Sequence, residues 1–299
     1  MKRQDFEFLL ELLKENAGWE FDETQYFIID KKISAFIREK NYNSIEDLIV
    51  DLKGGSRQLT SLVVEALAFS DTSFFRNFEV FHKFQNHLLP LLREKCRATK
   101  KLNIWSLGCS TGQEAYSIGM CINNLQTHFA DWNIKIAASD LSSLAISKAQ
   151  RGLYNNFEIQ MGLNARTILD YFTLRDDNWK INDNVRNLIE FRCYNMLDKP
   201  IASSKFEVVF CRNVLRYFTA ENQEIVVRHI SENQPQGGYL YLGKHEIVPC
   251  IEQYYTPLDE ETGAYISKAS GTAGRLQSPF SSRSEDTMPQ FVRPGNLVK

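Results

Sequence analysis

The sequence predicts an α/β protein, a mostly parallel sheet with helices on both faces, preceded by a small all-helical region. Three observations carry this. Residues 5 to about 70 place their apolar side chains at helical spacing and contain no strand candidate. From Leu102 onward, short apolar runs alternate with amphipathic stretches, the pattern of parallel strands joined by helices. The first of those runs feeds a glycine-containing turn that opens a helix.

The elements follow in order. Phe6, Leu9, Leu10 and Leu13 mark a first helix, and Tyr26, Ile29, Ile33, Phe36 and Ile37 a second. Ser44, three residues before Asp47, caps a third helix, and Arg57 to about Leu67 forms a fourth. A helical stretch from Phe78 to Glu94 leads to a buried strand, Leu102 to Leu107, and then a helix from Glu114 to Gln126. Ile134 to Ser139 reads as a strand and Ser142 to Arg151 as a helix. Leu188 to Arg192, Phe206 to Cys211 and Tyr239 to Leu242 are further strands, with a helix from Glu221 to Glu232 between the last two. The expected organisation is a helical region 1–70, a linker and connecting helix 71–98, and an α/β domain 99–269. Within that domain, 164–187 reads as a small antiparallel excursion. Residues 270–299, rich in Ser, Gly, Pro and Arg, read as a disordered tail.

Bulk properties narrow the function classes. The chain has 299 residues with 43% hydrophobic and 24% charged, enough to build a sizeable core without staples. Its 35 basic and 37 acidic residues nearly balance, so no global field draws nucleic acid or an anionic membrane. Apolar runs such as Leu88 to Leu92 are too short to span a bilayer, and the N-terminus has no apolar signal-peptide core. Six cysteines without a CxxC or a neighbouring zinc-spaced histidine read as reduced thiols of a cytoplasmic protein. No nucleic-acid partner, membrane insertion or metal is expected.

The chemistry concentrates in Trp105-Ser-Leu-Gly-Cys-Ser-Thr-Gly-Gln-Glu-Ala-Tyr116, where the first strand feeds the first helix. Gly108 and Gly112 let the main chain turn sharply and approach a ligand. Asp140, at the end of the next strand, can accept hydrogen bonds from both hydroxyls of a ribose. Alone, the loop and Asp140 leave open a simple connection, because Gly108-x-x-x-Gly112 lacks the full glycine set that holds a pyrophosphate. A nucleoside without phosphates suits it better, which points to S-adenosylmethionine.

Several segments together resemble the CheR family of chemotaxis protein-glutamate methyltransferases. They are Thr72-Ser-Phe-Phe-Arg76, the loop Trp105 to Tyr116, Ala138-Ser-Asp140, Arg151-Gly-Leu-Tyr154, Tyr194-Asn-Met-Leu197, Phe210 to Phe218 and Gly237 to Gly243. They stand in the family's order across about residues 5 to 268. The resemblance implies a Rossmann-like class I methyltransferase domain with a small β-subdomain behind a helical domain. It implies S-adenosylmethionine as cofactor and S-adenosylhomocysteine as product. Thr72 and Arg76 are then expected at the methionine end, Arg76 meeting the cofactor carboxylate. Glu114 is expected on the α-amino group, Asp140 on the ribose, Asn195 and Met196 around the adenine, and Asn213 and Val214 along the floor. Tyr217 and Arg76 are expected at the reacting centre. Taken singly, Arg76 also reads as a surface ion pair, Asn195 and Asn213 as turn residues, and Tyr217 as a buried tyrosine.

Methylating a glutamate is an in-line displacement by a carboxylate already ionised at neutral pH, since free glutamate has a pKa of ~4.3. No general base is needed, which accords with a sequence of only five scattered histidines. The implied partner is an acidic helical region of a chemoreceptor or another signalling protein; Lys31, Lys32, Arg38 and Lys40 read either as its guide or as a solvated helix face. The connection Phe172 to Trp179 is shorter than in family members that dock on a receptor's C-terminal pentapeptide, so the resemblance implies a pentapeptide-independent enzyme. Arg216 and Lys244-His245-Glu246 depart from the family pattern and add positive charge on the acceptor side, which reads either as a different acceptor or as a local salt bridge. The alternatives are a non-catalytic methyltransferase-fold regulator, an NAD oxidoreductase and a small-acid methyltransferase.

Overall fold

The computed structural model describes residues 1–69, 71–199 and 205–268. Four helices come first: α1 Arg3–Ala17, α2 Tyr26–Glu39, α3 Ile45–Lys53 and α4 Arg57–Leu67. Each buries one stripe, with Leu9 and Leu13 on α1 and Ile29 and Ile33 on α2 almost fully enclosed. Ser44 and Ser56 cap α3 and α4, accepting from the N–H groups of Asp47 and Leu59.

The stretch read as one helix from Phe78 to Glu94 is α5 Phe78–Lys83 and α6 Leu89–Lys95, joined by a widened turn over Phe84–Leu88. Pro90 explains the widening. It lacks an N–H and its ring crowds the carbonyl four residues back, so the Leu89 N–H reaches Phe84 instead of Gln85.

The α/β region then runs β1 Lys101–Leu107, α7 Gln113–Asn124, β2 Asn133–Asp140, α8 Ser143–Arg151 and β3 Leu153–Tyr154. It continues with α9 Asn156–Gln160, α10 Ala165–Tyr171, β4 Phe172–Arg175, β5 Asn178–Ile181, α11 Asp183–Arg186 and β6 Ile189–Cys193. Last come β7 Val208–Cys211, α12 Ala220–Glu232, β8 Tyr239–Leu242, α13 Ile251–Tyr254, β9 Tyr255–Asp259 and β10 Ala264–Ser267. Seven strands form one sheet in the order β6-β2-β1-β7-β8-β10-β9, parallel except that β10 runs against both neighbours. The chain winds outward from β1 in one direction and returns to its other side through β7, so the crevice at the carboxyl end of β1 is the topological switch point.

Two features differ from the sequence reading. The edge hairpin β9–β10 was not expected, because Pro257 interrupts its first strand; an edge strand tolerates a proline that a central strand does not. The small sheet, ordered β3-β5-β4, recruits Leu153–Tyr154 from outside the span 164–187. Its loop is pressed onto the linker at Gly162, whose φ is +123° and where a Cβ would lie 2.0 Å from the Phe74 carbonyl oxygen. Only glycine fits there. The 270–299 tail lies outside the described residues.

Strand alternation divides the core. Val208 and Phe210 of β7 face a cluster with Phe74, Phe81, Phe84 and Ile118. Val209 and Cys211 face a second cluster that holds Val226 and Val227 of α12 together with the buried stripes of α1 to α4. The N-terminal helices therefore complete one face of the sheet's core instead of enclosing a separate one.

Candidate active site

A cleft with a cavity volume of about 60 Å³ opens at the switch point. The linker contributes Phe69, Thr72 and Arg76, the β1–α7 loop Gly108 and Ser110, α7 Glu114, and β2 Asp140. The segment after β7 contributes Arg212, Asn213, Val214 and Tyr217. Gly108 sits at φ +79°, with Met196 and Val214 so close that a Cβ would come within 3.1 Å of the Met196 terminal methyl. The main chain thus forms the wall that the glycine-turn pattern called for.

Glu114 is the electrostatic centre. One carboxylate oxygen accepts from the Ser106 hydroxyl at 2.9 Å and the other from the Arg212 guanidinium at 3.2 Å. Burial pushes its pKa up, and Arg212 opposes that shift. Arg212 has a side chain 1% exposed, donates to the Arg76 carbonyl and the Asn77 side chain at 2.8 Å each, and lies over the Phe81 ring. Its Nε–H is buried without a hydrogen-bond partner. Asp140 accepts from the Ser110 N–H at 2.8 Å through one oxygen and from the Ser142 N–H at 3.0 Å through the other. Burial raises its pKa while these donors pull it back.

Tyr217 closes the far wall. Its ring stacks on Phe69 at 5.0 Å and 21°, with Phe21 5.8 Å away. Its carbonyl accepts from the Glu20 N–H at 2.7 Å, and Trp19 pairs with Phe218 in an antiparallel bridge. The segment between α1 and α2 therefore holds the Tyr217 turn directly. Glu246 holds the same turn from the other side: its two oxygens accept from the N–H groups of Asn213, Gly243 and Arg216 at 2.8–3.0 Å. Asn213 has φ +62°, a left-handed conformation that this carboxylate keeps in place.

Of the nine residues singled out from sequence, seven line the cleft: Thr72, Arg76, Glu114, Asp140, Asn213, Val214 and Tyr217. Met196 stands behind Gly108 as packing. Asn195 does not line the cleft; its side-chain oxygen accepts from the Leu197 N–H, the turn role open to any asparagine. Arg76 donates to the carbonyl and carboxylate of Asp71 at 2.8 and 3.2 Å while lining the cleft. Arg212, Phe69 and Glu246 were missed as site residues. For Arg212 a signal existed, because an arginine directly after the apolar run Val208–Cys211 must find a buried partner.

These groups fit S-adenosylmethionine. Glu114 can receive an ammonium, the Arg76 guanidinium and the orphaned Arg212 Nε–H can donate to a carboxylate, and Asp140 can accept from a diol.

A family model described as "CheR methyltransferase, SAM binding domain" matches residues 70–264. Chemotaxis protein methyltransferase 1 of Pseudomonas aeruginosa is 29% identical over 255 residues, covering 84% of this chain and 93% of its own. The chemotaxis protein methyltransferase of Vibrio parahaemolyticus is 30% identical over 247 residues, 81% of this chain and 89% of its own. That of Borreliella burgdorferi is 27% identical over 247 residues, 80% and 87% respectively.

Proposed function

The chain belongs to the CheR methyltransferase family and binds S-adenosylmethionine, and from that premise we propose that it methylates glutamate side chains of a signalling protein, a chemoreceptor being the first candidate. The observation that carries this reading is the convergence of the partly buried Glu114, Asp140, Arg76 and Tyr217 on one cleft that contains neither histidine nor cysteine among its described lining residues. Such a cleft suits a nucleophile that arrives already ionised.

When bound, the cofactor supplies a methyl group on a sulfonium; transfer to a carboxylate oxygen breaks the carbon–sulfur bond and leaves a neutral thioether and a methyl ester. The chain's own residues bind and orient. Glu114 takes the amino end, Arg76 the carboxylate and Asp140 the ribose. Tyr217, held by Glu20, Phe69 and Glu246, orients the incoming carboxylate and closes the cleft to water. Rate enhancement comes from alignment and exclusion of solvent.

The acceptor is read as an acidic helix. Lys31 and Arg38 lie seven residues apart on one face of α2, both exposed, and supply attraction for it. Lys32 is turned inward, donating to the Ala68 carbonyl, and Lys40 pairs with Glu39, so two of the four cations do the guiding. The two-residue turn at Asp176–Asp177 between β4 and β5 supports independence from a receptor's terminal peptide.

Calorimetric titration with S-adenosylmethionine and S-adenosylhomocysteine tests the site. Micromolar binding by the wild type, weakened about tenfold or more in Asp140→Ala, is expected. It should be followed by base-labile methyl incorporation into an acceptor. A well-folded wild type that binds neither compound sinks the proposal.

A further inference from the structure

The rim of the cleft beside Tyr217 carries positive charge for which methyl transfer itself has no use. Arg216 is exposed, its guanidinium carbon 5.2 Å from the centre of the Tyr217 ring and one nitrogen 3.4 Å from the phenol oxygen. The next loop begins against the same site, because Gly243 packs so closely on the Asn213 side chain that a Cβ would meet it at 2.5 Å. Lys244 and His245 follow and are exposed, as is Ile247, at 81% one of the most exposed large apolar side chains in the protein. Glu246, the acid in this loop, turns both oxygens onto main-chain N–H groups. Among the described residues no ion pair involves the side chain of Arg216 or Lys244. The loop therefore directs its acid inward and its cations and isoleucine outward.

Resting on the carboxylate-acceptor reading above, we infer that the Arg216 turn and the Lys244–Ile247 loop form a second lip that grips an acidic helical stretch of the acceptor, Arg216 taking a carboxylate other than the one being methylated. The chemistry separates the two carboxylates. Methyl transfer joins an anion to a cation and consumes both charges. A guanidinium paired with the reacting carboxylate stabilises the charged ground state more than the partly neutralised transition state, and so slows the step. A neighbouring carboxylate keeps its charge throughout and can be held without that penalty. On a helix it lies one turn away, roughly 5–6 Å from the first, a separation matched by a guanidinium seated on the ring of the tyrosine that faces the reacting group. Ile247 adds an apolar contact for the helix that carries both acids.

The test uses the full chain saturated with S-adenosylhomocysteine and two synthetic helical peptides. One has a central Glu with Gln one turn to either side; the other has Glu at all three positions. Fluorescence anisotropy should show the wild type binding the three-acid peptide about tenfold tighter. In the double variant Arg216→Gln, Lys244→Gln this preference should shrink to within about twofold, with affinity for S-adenosylhomocysteine unchanged. Added salt should compress the wild-type preference toward that of the variant. An equal preference in wild type and variant, or failure of both peptides to bind, overturns the lip. Failure of the wild type to bind S-adenosylhomocysteine strikes the methyltransferase reading and takes the lip with it, whereas loss of the peptide effect alone leaves that reading standing.

Discussion

Glu114 and Arg212 form a buried pair whose two halves have different duties. Replacing Arg212 with Met strands a buried carboxylate and is expected to destabilise the fold by about 3 kcal/mol, read as a lowered denaturation midpoint. Glu114→Gln keeps the shape and removes the charge that receives the cofactor's amino group. Calorimetry should then show affinity for S-adenosylmethionine reduced roughly tenfold to a hundredfold, and a loss of stability is expected here too, because the buried Arg212 guanidinium loses its counter-charge. The pH dependence has a defined sign. Burial holds the Glu114 and Asp140 pKa values above the ordinary carboxylate range, so ionisation works against the fold at neutral pH and protonation relieves it. Acidification from neutrality is therefore expected to weaken cofactor binding in the window just above that range, while the protonation of these two acids favours the fold. A binding isotherm that stays flat through that window contradicts this. Asp140 was readable from its place at a strand end, whereas Glu114 was singled out only through the family resemblance. For Arg212 the apolar run before it signalled a buried arginine but not its partner, which lies 98 positions away. Asn195 suits both a turn and a ligand, and its side-chain oxygen serves the turn.

At the scale of elements, periodicity located all four N-terminal helices and the five strands it proposed for the main sheet, because those elements bury one stripe or one run. It failed where a local breaker coincided with tolerant surroundings, as at Pro257 on an edge strand and at the Pro90-induced wide turn between α5 and α6. Strand β3, two residues long, carries no period at all and exists only because β5 offers it an edge. Gly162 is the element-scale weak point. Gly162→Ala forces the α9–α10 loop away from the Phe74 carbonyl and displaces the linker that carries Thr72 and Arg76. A loss of about 2 kcal/mol or more in stability is expected, together with weaker cofactor binding. Unchanged chemical denaturation would show that the loop yields freely.

For the whole molecule, a boundary near residue 70 was visible in the change of pattern, yet the pattern could not reveal that the apolar stripes of α1 to α4 join Trp105, Val209 and Leu240 in one cluster. Which surfaces meet depends on contacts between residues far apart in sequence, and no local spacing encodes them. Because that core is shared, residues 1–268 are expected to unfold in a single transition, with far-ultraviolet dichroism and tryptophan fluorescence superimposing. Two separated transitions would mark the helices as an independent unit. The bridge from Trp19 to Phe218, with the Glu20 N–H on the Tyr217 carbonyl, bears on protein engineering. A chimera that exchanges the N-terminal helices with those of a relative, to redirect which protein is modified, has its seam inside the active site. Such a graft stays competent only if the incoming segment rebuilds the Trp19–Phe21 brace, so the crossover point belongs after the linker and not at the end of α1.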